Sequence, residues 1–165
     1  MESFLIWLEA TDFSTWMRES PSVWAFPAIL SCHTVGMGLV AGINAAFALR
    51  ILGVGPEIPV GDMRRFLPVM WFGFWLNAVS GVALLVAYPT KALTNPVFFL
   101  KLSLVALGLW LLKVIRPKIF GSETFDSDVP RRLKQLAIAS LVCWAGVITS
   151  GRLLAYTYSR LMATI

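Results

Sequence analysis

Histidine is nearly missing from this 165-residue chain, which has one, His33. Charge is scarce as well: 14% of residues are charged, where a soluble domain carries about 25%. With 58% hydrophobic residues and several long uncharged runs, the composition excludes an ordinary soluble domain and places the chain in the membrane class. Cysteine is limited to Cys32 and Cys143, both in apolar runs. Neither belongs to a C-x-x-C or C-x-x-C-H motif, which removes the usual zinc, dithiol and c-type haem signals. Both read as small buried hydrophobes. There is no H-E-x-x-H, no nucleophile elbow and no pair of intramembrane carboxylates, so hydrolytic chemistry has no support. Glu2, Glu9 and Asp12 stand where a cleavable signal peptide needs a basic start and an unbroken apolar core, so none is expected.

What is present reads as one all-α integral membrane domain over residues 1–165, a four-helix bundle preceded by an N-terminal amphipathic interfacial helix. Residues 2–19 form that helix, broken near Thr11. Phe4, Leu5, Leu8, Trp16 and Met17 share one side, and Glu2, Glu9, Asp12 and Glu19 another. Ser20-Pro21 supplies a cap followed by proline in the first turn. The first span is expected from about 22 to 52, with Pro27 kinking it from inside. Gly53-Val54-Gly55-Pro56 ends it. The second span covers 66–88 and stops at Pro89. The third opens at Asn95-Pro96 and runs to about 115, where Arg116-Pro117-Lys118 closes it. A polar segment, 121–135, leads to the fourth span, 136–158.

The net charge of +5 is a matter of topology, and no nucleic-acid partner is expected. Arg50, Arg64, Arg65, Lys113, Arg116, Lys118, Arg131, Arg132 and Lys134 fall on one side of the four spans, nine cations in all. Only Arg18, Lys91 and Arg160 lie outside the spans on the other. The positive-inside rule then places the chain in a bacterial inner membrane with both termini periplasmic.

Ionisable groups inside a bilayer are costly and are functional candidates by default. Three qualify: His33, Lys101 and Arg152. At about 1.5 Å of rise per residue, Lys101 is roughly 8 Å and Arg152 roughly 9 Å below the periplasmic helix ends. His33, counted from Pro21, is roughly 18 Å down, about 10 Å beneath both cations. This pattern fits a b-type haem standing along the bundle. His33 is its axial ligand, Lys101 and Arg152 pair with the propionates, and Gly36, one turn on, clears room for the macrocycle. Thr34, Asn77 or Ser80 could accept the other imidazole proton. No second histidine exists, so Met70 or Lys101 would be the second ligand, unless a partner chain supplies it or iron stays five-coordinate. Copper is the alternative metal, on His33, Met37, Met70 and Cys32. However, Cys32 and His33 project about 100° apart on one helix. The plainer reading is an imidazole hydrogen-bonded to a neighbouring helix, with Lys101 and Arg152 snorkelling. Gly38-x-x-x-Gly42 is a helix-packing motif, which suits a protein partner or a homo-oligomer beside membrane lipid.

Arg18-x-Ser20, Phe26-Pro27, His33-x-x-Gly36, Trp71-x-Gly73-Phe74, Ser80-Gly81, Asn95-Pro96-x-Phe98-x-x-Lys101-Leu102 and Gly151-Arg152-x-x-Ala155-Tyr156 cover most of the chain. Together they resemble a bacterial family of four-helix membrane proteins of uncharacterised function. That family is distantly similar to CopD-like copper-resistance domains and to the short haem-containing protoporphyrinogen oxidase. The resemblance implies haem at His33 and makes Lys101 a candidate axial ligand. The oxidase type carries further histidines that this chain lacks, so its activity is not carried over. The expected function is a b-haem-binding membrane subunit that passes electrons or anchors a redox partner. The alternatives are a cofactor-free accessory subunit and a CopD-like copper or small-solute permease.

Overall fold

The computed structural model describes residues 2–120 and 129–162, and every regular element among them is helical. The chain opens with α1 (Glu2–Glu9) and α2 (Asp12–Glu19). Thr11 separates them by doing two jobs: its hydroxyl donates to the Leu8 carbonyl at 2.8 Å and accepts the Ser14 amide at 3.4 Å. It therefore closes one helix and caps the next. The pair is anchored on later elements. Met17 is fully buried, Ser14 Oγ donates to the Ala87 carbonyl at 3.2 Å, and Glu9 Oε1 accepts the Thr90 amide at 3.3 Å.

The first long helix, α3, runs from Phe26 to Ile51. It starts later than Ser20-Pro21 suggests. Ser20 Oγ accepts the Ser22 amide at 3.2 Å and Ala25 N–H reaches Ser22 O at 3.2 Å, so 20–25 is a turn. Pro27 therefore lies in the first helical turn, where no amide bond is lost and no kink follows. Its far end is a Schellman closure. The amides of Gly53 and Val54 bond to Arg50 O and Leu49 O at 3.1 and 3.0 Å, and Gly53 takes the positive φ of 96° that this closure requires. Arg50 then holds the following loop with bonds to the Ile58 and Pro56 carbonyls at 2.8 and 3.2 Å.

A 3₁₀ segment (Val60–Phe66) leads into α4 (Leu67–Ala87). Pro89 stops α4 but opens a short helix, α5 (Pro89–Leu93). Asn95 Oδ1 accepts the Val97 amide at 3.0 Å and so caps α6 (Pro96–Phe120). That helix passes through Pro117. A proline near a helix end costs one bond to the carbonyl four residues back, and the last turn survives it. The last helix, α7 (Arg131–Met162), begins five residues before the expected apolar stretch. Of the polar segment 121–135, residues 121–128 lie outside the described set.

Among the described residues four stretches are long and apolar enough to cross a membrane: Phe26–Ile51, Val60–Ala87, Pro96–Phe120 and Arg131–Leu154. Helix α3 packs on α4, α6 on α7, and the two pairs meet along α3 and α7, whereas α4 and α6 make no extensive contact. The main apolar core lies towards the end carrying Arg50. It is built from Phe47, Ile51, Met63, Met70, Leu111 and Ile115 and their neighbours. A smaller cluster of Val40, Ala41, Trp144 and Val147 continues it towards the other end. Outward faces carry Val35, Phe72, Trp75, Val79, Leu100 and Val142, all well exposed, as helices that contact lipid do.

Candidate functional site

His33 lies seven residues into α3, on the side that meets α4, and Lys101 of α6 reaches it. His33 Nδ1 stands 3.0 Å from Asn77 O and 3.3 Å from Asn77 Nδ2; the carbonyl is the shorter contact and can only accept, which favours the tautomer with its proton on Nδ1. The Ser80 hydroxyl, 3.3 Å from the same nitrogen, donates to Leu76 O at 2.5 Å. A neutral imidazole protonated at Nδ1 presents its lone pair at Nε2. Lys101 Nζ, from α6, stands 3.2 Å from that atom and donates to it. The Asn77 side chain fixes α3 from the other direction, its amide donating to the His33 carbonyl at 2.7 Å.

The neighbours are glycines for steric reasons. A Cβ at Gly81 would stand 3.0 Å from His33 Cε1. One at Gly36 would stand 2.6 Å from Asn77 N and 2.7 Å from Gly73 O, inside any real contact. Gly36 and Gly73 thus bring the backbones of α3 and α4 together, which is what fixes Asn77 against the imidazole. The room beside Gly36 that the sequence suggested for a macrocycle is filled by α4.

Depth changes as well. With α3 beginning at Phe26 rather than Pro21, the imidazole moves up by five residues, about 7.5 Å. His33 and Lys101 therefore share one level and touch. Gly151 of α7 is there too, since a Cβ on it would lie 3.8 Å from Lys101 Nζ. Arg152, the next residue, is exposed and outside this cluster of hydrogen bonds. Met70 is elsewhere. It sits seven residues before Asn77 on α4, about 10 Å along the helix. It is fully buried, with Asn44 Nδ2 3.4 Å from its sulfur. The copper set does not assemble either: Cys32 is exposed, and Met37 packs on the Trp144 cluster. Among the described residues no three His, Cys, Asp or Glu side chains form a metal-holding group.

For a haem, the donor set is one imidazole nitrogen with its lone pair outward, plus one amine. Metal–nitrogen bonds run about 2 Å, so a metal between two opposed nitrogens holds them about 4 Å apart. At 3.2 Å the Nε2–Nζ contact is a hydrogen bond, and Lys101 has to withdraw before Nε2 can ligate. A metal here would be held by His33 Nε2 once Lys101 had moved aside.

Asn77 and Ser80 were among the acceptors the sequence offered. Thr34, the third, instead donates to Leu30 of its own helix at 2.9 Å. Gly73, Gly81 and Gly151 stand in the motifs that carry the resemblance, but nothing in the sequence marks them as lining the His33–Lys101 contact. Compared with protein-family models, curated proteins and solved structures, the chain matches none.

Proposed function

We propose that the chain is a four-helix inner-membrane subunit of a bacterium, with periplasmic termini and α1–α2 lying at the membrane surface, and that it binds one b-type haem through His33 Nε2. The observation that carries this reading is the contact between His33 Nδ1 and the Asn77 carbonyl. An Nδ1–H bond to a backbone carbonyl is the usual second-shell arrangement of a metal-bound histidine, and Asn77 O supplies it at 3.0 Å. Haem bound there supplies one-electron chemistry. Asn77 and Ser80 would orient the ring, and Lys101, which donates to Nε2 here, would move aside and pair with an acidic group of the cofactor. The role is to pass electrons to, or anchor, a redox partner.

The test is the visible spectrum of the purified protein from cells supplied with a haem precursor. A Soret band, lost in His33→Ala and regained with added imidazole, supports the reading. A colourless but folded wild-type protein, or unchanged bands in His33→Ala, overturns it.

A second reading, the cofactor-free accessory subunit, is favoured by a different observation. Gly38 and Gly42 have nothing within 4 Å of an added Cβ, so their face of α3 is open to another helix. Loss of partner assembly in Gly42→Leu, with folding intact, supports that reading.

A further inference from the structure

The geometry points to a binding site for the headgroup of an anionic phospholipid in the groove between α4 and α6 at the basic end of the molecule. The groove encloses about 760 Å³, in the range of sites that take small-molecule-sized groups. Two properties decide what fits. Three cations from separate turns line it, Arg64 of the 3₁₀ segment with Lys113 and Arg116 of α6, and among the described residues no acidic side chain does. Its walls are largely apolar and aromatic, with Trp71 from α4 and Trp110 and Phe120 from α6.

Among the described residues none of the three cations makes an ion pair or a hydrogen bond, unlike Arg50 on the same side, which is committed to backbone carbonyls. The groove exists because α4 and α6 fail to close on each other along their length. A free anion would satisfy the cations but leave the aromatic walls open to lipid. A zwitterionic lipid would fill the walls but bring its own cation beside these three. A phosphate-bearing, net-negative headgroup with acyl chains descending between Trp71 and Trp110 satisfies both. Basic pockets between spans and aromatic residues at the headgroup level are where such lipids bind.

The experiment titrates the full-length protein with phosphatidylglycerol or phosphatidylcholine and follows bound lipid by native mass spectrometry. Preferential retention of phosphatidylglycerol is expected. It falls about fivefold for each cation neutralised in Arg64→Gln, Lys113→Gln and Arg116→Gln. The matched set Arg131→Gln, Arg132→Gln and Lys134→Gln, which removes equal charge at the same end, leaves retention unchanged. Equal loss in both sets overturns the site in favour of general surface charge. Full competition by millimolar inorganic phosphate overturns the lipid in favour of a plain anion. An independent readout needs no charge variant: brominated phosphatidylglycerol should quench the Trp71 and Trp110 fluorescence at a lower mole fraction than brominated phosphatidylcholine. That difference should vanish in Trp71→Phe/Trp110→Phe. Equal quenching by both lipids in the wild-type protein also overturns the proposal.

Discussion

Each ring nitrogen of His33 meets a group of a different kind, and that difference can be tested one atom at a time. Nδ1 is held by a main-chain carbonyl, which no side-chain substitution removes. Asn77→Leu therefore spares that carbonyl and deletes the side-chain amide, which donates to the His33 carbonyl and stands 3.3 Å from Nδ1. It should cost about 0.6 to 1.7 kcal/mol, the range for interhelical hydrogen bonds in lipid, and leave the ring tautomer in place by nitrogen NMR. Nε2 and Lys101 Nζ are in direct contact, so His33→Ala and Lys101→Ala should couple by about 0.5 to 3 kcal/mol in a double-mutant unfolding cycle. Additive effects would show that the pair carries no interaction energy. Gly36→Ala pushes a methyl group into the α4 backbone and should destabilise by about 1 to 3 kcal/mol. Gly38→Ala, two residues on and in open space, should stay within about 0.5 kcal/mol of wild type in the isolated protein. The sequence suggests the reverse, open room at Gly36 and packing at Gly38, because spacing along one helix says nothing about which face the neighbouring helix will occupy.

At the level of elements, the four apolar stretches were legible because nothing else in a chain of this size carries so many uncharged residues in a row. Their boundaries were legible only where a side chain dictates them. Asn95 caps α6 as its position before Pro96 implies, and Gly53 closes α3. The start of α3 was not. Ser20-Pro21 and Phe26-Pro27 are both lawful first turns, and no charged side chain between Val23 and Leu49 chooses between them. That choice sets the depth of His33, so a five-residue shift at a helix start decides whether the imidazole meets Lys101. Pro27→Ala tests it. With proline in the first turn the change should be under about 1 kcal/mol, whereas relief of an interior proline is worth about 3 kcal/mol. Met70 belongs to the same lesson. Its burial against Asn44 places it in the α3–α4 core, so Met70→Ala should cost about 2 to 5 kcal/mol. Met70→Leu should cost less than about 1.5 kcal/mol and shift no band of any bound haem.

On the scale of the whole molecule, the cations divide its two ends unequally, and the proposed orientation follows from that division. In a variant with Cys32 and Cys143 replaced by alanine, a membrane-impermeant maleimide should label Thr90→Cys in intact cells. It should label Arg131→Cys only after permeabilisation. The reverse pattern would invert the topology while leaving the His33 geometry untouched. The molecule is also two consecutive hairpins, α3 with α4 and α6 with α7, joined along α3 and α7. That division orders events during synthesis, since N-terminal units settle before later ones emerge. The bond from His33 to Asn77 spans 44 residues and closes within the first hairpin. The one from Lys101 spans 68 and needs the second. The contact that orients the imidazole can therefore form during synthesis before the amine that meets its other nitrogen has emerged. A nascent chain arrested after α4 would expose that nitrogen to whatever the membrane offers first.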